Sequence, residues 1–302
     1  MSKIFITGGS GLLALNWCYF KSLDYSITLI LHSRKIKLKN IDTIFLDLDS
    51  QEELDNFFSN IDPSIIINCV GLTNVDLCEV DPGLAKRVNS EIPGKLSFFC
   101  NKYRHKFIHI SSDQIFNGQS SFYNEEFPIG PINSYGKSKV LSEQLVQDNC
   151  DNALIIRTNF FGWGPSYRDS FSDFLVSSIR EKRKISLFKD IFYTPIHTSK
   201  LVDYVHLLID QDDSGIFNIV SNERVSKYEF GKLLFEIFNG DLTLITKTKY
   251  KYTKNHTQRP HDMSLNNEKL KSKLDITIPS IYNQILLLKN EEVSIKNFLG
   301  GL

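Results

Sequence analysis

The segment Thr7-Gly8-Gly9-Ser10-Gly11-Leu12-Leu13-Ala14 constrains this chain more than any other. It follows the apolar run Ile4-Phe5-Ile6 and opens a stretch that reads as a helix. Strand, glycine turn and helix in that order make a βα unit. Glycine at 8 permits the tight turn, and Gly11 lets the backbone come close to a pyrophosphate. Free amides and the dipole at the helix start then favour that anion. Ala14 stands where a third glycine often sits, and it is small enough for close helix–sheet packing. Gly8, Ser10, Gly11 and Leu12 are therefore candidates for holding a dinucleotide, against the alternative of a tight turn that binds nothing.

The rest of the first half repeats the alternation. Apolar runs at 27–31, 43–46, 64–70, 106–110 and 153–157 read as further strands. Helices are predicted over 12–22, from a capping box at Ser50-Gln51-Glu52-Glu53, over 82–103 and over 133–148. Ser64-Ile65-Ile66-Ile67-Asn68-Cys69-Val70 is continuously β-rich, as a parallel strand covered on both faces requires. The pattern predicts an α/β fold with a doubly wound parallel sheet of Rossmann type. After Thr158 the pattern loosens, with helices expected over 170–181, 198–210, 226–238 and 279–288. Residues 1–157 are expected to bind the cofactor and carry the catalytic groups. Residues 158–302 are expected to form a smaller α+β substrate-binding region with segments returning to the main sheet.

Composition narrows the function classes. The 35 Lys and Arg balance 35 Asp and Glu, which removes the global electrostatic argument for a nucleic-acid or anionic-membrane partner. Five cysteines without a CxxC pair argue against a disulfide framework or a zinc ribbon and suit a cytoplasmic protein. No stretch approaches the ~18 unbroken apolar residues of a membrane span. Gly8, Gly9 and Gly11 interrupt the first apolar run, so it reads as a folded element rather than a signal peptide.

The end of the second strand sets the expected cofactor. An NAD site would place Asp or Glu there for the adenosine ribose. The chain has His32-Ser33-Arg34-Lys35 instead. A hydroxyl at Ser33 and the fork of Arg34 suit a 2′-phosphate, so NADP(H) is expected ahead of NAD(H). Asp47 and Leu48, after the third strand, either hold the adenine amino group or form a solvated turn.

Tyr135 and Lys139 lie four residues apart, on one helical face with about 5–6 Å between Cβ atoms. A phenol near pKa ~10 is a poor proton relay at neutral pH unless a cation lowers that value, and Lys139 is the expected cation. Ser111-Ser112-Asp113 directly follows the strand at 106–110, where ligands collect in a parallel sheet. Ser112 is then placed to polarise a carbonyl beside the tyrosine.

At this point the chain resembles the extended short-chain dehydrogenase/reductases, and within them the dTDP-4-dehydrorhamnose reductases. The matching blocks are the glycine loop, Asn68-Cys69-Val70-Gly71 with Thr73 and Val75-Asp76, and the segment 88–97. Residues 109–118, Pro131 to Lys139, Arg157-Thr158, Tyr193 to His197 and Arg259-Pro260 continue the likeness. The resemblance implies a nucleotide-sugar substrate, Ser112, Tyr135 and Lys139 as catalytic trio, and Val70 and Gly71 beside the cofactor. It implies NADPH reduction of a 4-keto-6-deoxy sugar for a surface polysaccharide and leaves room for a homodimer. No metal ligand carries over. The related dehydratases carry Glu where this chain has Gln114, and the GDP-fucose-forming enzymes carry Cys close after the serine pair, so simple reduction is the expected chemistry.

On the substrate side the expected residues are Asp113, Trp163, His197 and Arg259. Trp163 either lines the sugar pocket or anchors its loop, and His197 either reaches the sugar or is satisfied by backbone. Arg259 is expected on the diphosphate. Lys247, Lys249 and Lys251, alternating with Thr248, Tyr250 and Tyr252, read as a solvated edge strand or as a basic rim. Two other functions remain open: a non-catalytic binding subunit, as in the regulatory subunit of methionine adenosyltransferase, and an epimerase with permanently held NAD.

Overall fold

Strand Lys3–Thr7 lies inside a seven-stranded, all-parallel sheet, next to its central strand Ile65–Asn68. Its order is Gly215–Asn218, Leu154–Arg157, Lys106–Ile110, Ile65–Asn68, Lys3–Thr7, Ser26–Leu31, Asp42–Phe45. The computed structural model describes residues 3–251, 257–300 and 302. Tyr252, in the alternating lysine segment, lies outside them. Of that segment only Lys247 and Thr248 lie in a strand, Ile245–Thr248, which pairs with Ile185–Phe188 in a small parallel sheet of its own. Lys249, Tyr250 and Lys251 lie beyond its end, so the expected row of lysines on one strand face is not formed.

Alternation along each strand sends side chains to two cores. Ile4, Ile6, Leu29, Leu31, Ile67, Ile108 and Ile156 face one side, against helices Leu12–Lys21, Thr198–Asp210 and Ile281–Leu299. Phe5, Ile30, Ile66, Phe107 and Ile155 face the other, against Leu54 and Phe58, Leu96 and Phe99, and Val146. The first of these cores runs without a break into the second half, through Leu175, Phe217 and Phe230. No helix among the described residues is long and apolar enough to cross a membrane.

Three local expectations are corrected, and one helix appears that was not expected. The helix expected over 82–103 is Pro82–Lys86, a π-helical turn Arg87–Glu91, and Ile92–Lys102. Pro93 has no N–H to donate back to Asn89, so the α ladder fails there and the chain widens by one residue per turn. The last helix runs Ile281–Leu299 rather than stopping at 288, because Ile295 and Leu299 return to the core beyond the charged stretch. Helix Glu268–Leu274, with Leu270 alone buried, carries too weak an apolar stripe to be read. The Ser50 box closes on one side only: Ser50 Oγ accepts from the Glu53 amide, but the Glu53 carboxylate accepts from the Asp47 amide at 3.0 Å. Ser226 and Glu229 form a capping box at the start of helix Lys227–Ile237 that closes on both sides.

Candidate active site

The sheet order reverses between Lys3–Thr7 and Ile65–Asn68, and that reversal opens a crevice at the carboxyl ends of the strands. Gly8 turns there with φ +69°, and a Cβ on it would sit 2.8 Å from the Cys69 carbonyl. Only glycine lets the two strand ends approach so closely. Gly9 donates to Ile30 O at 3.1 Å and Gly11 to Gly8 O at 2.8 Å, which closes the turn. Helix Leu12–Lys21 starts without a side-chain cap, and its first intrahelical amide bond runs from Leu15 to Gly11 O. The preceding amides are left for an anion. Gly11, Leu12 and Leu13 line a cleft of about 330 Å³. Uncapped amides over a cradle without side chains fit a dinucleotide pyrophosphate.

The same cleft is lined by Val70, Gly71, Ser112, Asp113, Tyr135 and Lys139, with Asn159 and Phe171 from the second half. The trio expected from sequence therefore shares one cavity. Asn133 caps helix Ser134–Asn149 and turns Tyr135 and Lys139 inward. Gly136 packs against the Gln114 carbonyl, where a Cβ would come to 2.3 Å, so the helix presses on the loop that carries Ser112. Ser112 Oγ accepts from the Gln114 amide at 3.1 Å, which fixes the hydroxyl beside the phenol.

A buried polar chain ties the strand ends to this helix. Thr7 Oγ1 donates to Asn68 Oδ1 at 2.7 Å, and Asn68 Nδ2 meets His109 Nδ1 at 2.9 Å. His109 Nε2 meets Ser142 Oγ at 2.9 Å, and that hydroxyl donates to Lys139 O at 2.8 Å. Burial holds the imidazole well below its usual pKa. It is neutral, accepting on one nitrogen and donating from the other.

Burial also dominates the electrostatics of the trio. It pushes the Tyr135 phenol up to about 12, Ser112 opposing through its hydrogen bond and the Asp113 charge adding to the rise. It pulls Lys139 down to about 8, against the stabilising charge of Glu143. The expectation that Lys139 lowers the phenol is thus corrected. Its ammonium donates to the Ile110 carbonyl at 2.7 Å and is not among the groups that move the phenol, whose direction is set by desolvation. The phenol stays protonated through neutral pH.

Asp113 is held by Asn159 Nδ2 at 2.7 Å. Burial raises its pKa, and the charge of Lys227 works against the rise. Lys227 Nζ lies 3.3 Å from the Tyr193 ring centroid and 5.0 Å from that of Phe171. Asn159 and Lys227 were not expected here. Nothing local marks them, since they reach Asp113 from segments distant in the chain.

The other expected residues scatter. Ser33 and Arg34 are exposed at the end of Ser26–Leu31, with the Arg34 guanidinium 4.1 Å from the Tyr167 ring centroid. Asp47 accepts from the Asp49 amide at 2.9 Å, and the Leu48 side chain is buried in the core, which leaves only its backbone for a ligand. Arg259 pairs with Asp76 at 3.1 Å, outside the cleft lining. Two substrate-side expectations are corrected. Trp163 is 1% exposed, and its indole donates to Leu288 O at 2.8 Å, so it anchors the loop from within the core. His197 is fully buried. It caps helix Thr198–Asp210 and faces Glu291 at 2.9 Å and Ser199, away from the cleft.

Comparison with known proteins gives a consistent result. The chain is 29% identical over 248 residues to the probable low-salt glycan biosynthesis reductase Agl14 of Haloferax volcanii, covering 81% of this chain and 83% of that protein. It is 24% identical over 259 residues to dTDP-4-dehydrorhamnose reductase of Escherichia coli, covering 81% and 85%. In fold it is similar to dTDP-4-dehydrorhamnose reductase of Bacillus anthracis, solved in complex with NADP. The TM-score is 0.82 at 22% identity, over 96% and 99% of the two chains. A family match over residues 2–291 takes in the glycine loop, the cleft with its trio and the returning strand Gly215–Asn218, and the chain belongs to the RmlD substrate binding domain family.

Proposed function

We propose that the protein is an NADPH-dependent reductase of a nucleotide-linked 4-keto-6-deoxy sugar. The observation that carries this reading is the single cleft in which uncapped helix amides, the Ser112 hydroxyl and the Tyr135 phenol converge. Residues 1–157 supply the dinucleotide cradle and the trio, and residues 158–302 supply the sugar side with Asn159 and Phe171. The cofactor, when bound, supplies hydride to the carbonyl carbon. Ser112 holds the carbonyl oxygen, and Tyr135 donates its proton as that oxygen becomes an alkoxide, so ketone becomes alcohol. A phenol kept protonated by burial is the acid that reduction calls for. Lys139 positions the nicotinamide ribose, and Arg259 takes the diphosphate. The neutral amide of Gln114 is unsuited to the proton transfer of a dehydration. The test is a panel of 4-keto-6-deoxy sugar nucleotides incubated with NADPH, with products followed by mass. A gain of two hydrogens on one member supports the reading, and NADPH left unconsumed across the panel defeats it.

Two further results follow from the residues. Arg34→Ala is expected to weaken NADPH by about 10–100-fold, the size of a lost charge-assisted hydrogen bond. NADH should change by less than about twofold, since it has no 2′-phosphate to lose. Fluorescence titration of both cofactors checks this, and equal losses would remove Arg34 from the phosphate. NADPH affinity is also expected to fall as pH rises through about 8, where Lys139 discharges. The sign follows from the charge: below that pH the ammonium donates to the ribose, and above it a neutral amine donates more weakly. Lys139→Met should flatten that dependence, and a flat wild-type profile would contradict the role.

A further inference from the structure

Residues 164–170 leave the second half, cross the mouth of the dinucleotide cleft and return. Both ends of the segment are fixed. Gly164 N donates to Asp173 Oδ2 at 2.7 Å, Lys296 holds the other oxygen of Asp173 at 2.7 Å, and Ser170 caps helix Phe171–Arg180. The middle reaches three separate parts of the cofactor half. Tyr167 OH donates to Ser10 O in the glycine loop at 2.8 Å. Arg168 donates to Thr73 Oγ1 at 2.6 Å and lines the cleft. The Tyr167 ring lies under the Arg34 guanidinium at 4.1 Å.

Arg34 accounts for why this contact matters. It is exposed, and its contact is the ring of Tyr167. An arginine on a strand end would otherwise sample many rotamers. Held over an aromatic ring at 4.1 Å, the guanidinium is restrained in position while N–H donors turned from the ring stay open to an anion. The ring is itself held by its hydroxyl on the loop that receives the pyrophosphate. One side chain thus connects the two phosphate-seeking ends of the cofactor site.

We propose that residues 164–170 form a strap over the bound dinucleotide, in which Tyr167 sets the Arg34 guanidinium for the adenosine 2′-phosphate and so fixes the preference for NADPH over NADH. This rests on the NADPH reading above. Tyr167 acts through Arg34 and is a positioning residue.

The test measures NADPH and NADH binding by fluorescence titration on the full chain, with no sugar substrate present. Tyr167→Leu, which keeps bulk but offers no ring face, is expected to lower the NADPH/NADH affinity ratio by about tenfold. Tyr167→Phe keeps the ring and loses only the bond to Ser10, and should hold the ratio near wild type while weakening both cofactors alike. In an Arg34→Ala background, Tyr167→Leu should leave the ratio where Arg34→Ala put it. If the Leu variant is poorly folded, Tyr167→Met, which also offers no ring face, takes its place with the same expected fall. An unchanged ratio in folded Tyr167→Leu, or a further fall in the double variant, overturns the strap's role in selection. A wild type that binds neither cofactor overturns the NADPH reading itself, which is a distinguishable failure.

Discussion

Tyr135→Phe is expected to lower kcat by about 10²–10⁴-fold, the usual worth of a positioned general acid. NADPH affinity should stay within about twofold, because the ring itself is retained and the role proposed for the lost hydroxyl is toward the carbonyl oxygen. The variant should also fold. Tyr135 is 8% exposed and packs against Val75, Cys78 and Ala85, contacts that phenylalanine keeps. Steady-state NADPH oxidation with the nucleotide sugar, beside cofactor titration, checks both halves of this expectation. The wild-type rate should show no loss of its proton donor near neutrality, since burial holds the phenol at about 12. A variant that turns over at the wild-type rate would mean that water or Ser112 supplies the proton.

The second large effect is on stability. Arg157 and Glu143 are each 2% exposed in their side chains and bond at 2.8 Å, with the Arg157 Nε at 3.1 Å and 3.2 Å from the two carboxylate oxygens. Arg157 also donates to Glu125 O at 2.9 Å, and Ser111 Oγ donates to Glu143 at 2.5 Å. Arg157→Met leaves a buried carboxylate without its counter-charge and is expected to cost about 3–5 kcal/mol. Adding Glu143→Leu should recover part of that loss, because both charges are then gone. Urea unfolding reads the effect as a lower midpoint at unchanged slope. A midpoint that barely moves would show that water reaches Glu143. The network sits one residue from Ser112 and one helical turn from Lys139, so the single variant should weaken catalysis as well.

Much of the site was legible because its chemistry is local. The glycine loop declares its conformation in four neighbouring residues, and Tyr135 and Lys139 share a helix face by spacing alone. Trp163 and His197 mark the limit of that legibility. An aromatic residue in a glycine-rich loop looks the same whether it faces a sugar or plugs a core. The decision rests on Leu288, whose carbonyl comes from the far end of the chain. For His197 it rests on Glu291. The π-helical turn was within reach, since Pro93 stands inside an expected helix. Its product was not: Asn89 is rotated to hold Leu72 from both sides and to donate to Ser138. The sign of the Tyr135 shift was missed because helical spacing reports which charges are near and says nothing of how much water is excluded.

The returning strand has a consequence for how the protein is made. Leu154–Arg157 bonds on one side to Lys106–Ile110 and on the other to Gly215–Asn218. On the ribosome, every strand but the last can emerge and pair while that flank is still bare. The nascent chain then carries a buried-type edge, Leu-Ile-Ile-Arg, with unmet backbone groups and nothing to shield it from a neighbour on the same polysome. Translation speed between those two strands is therefore a variable in yield, quite apart from how stable the finished molecule is.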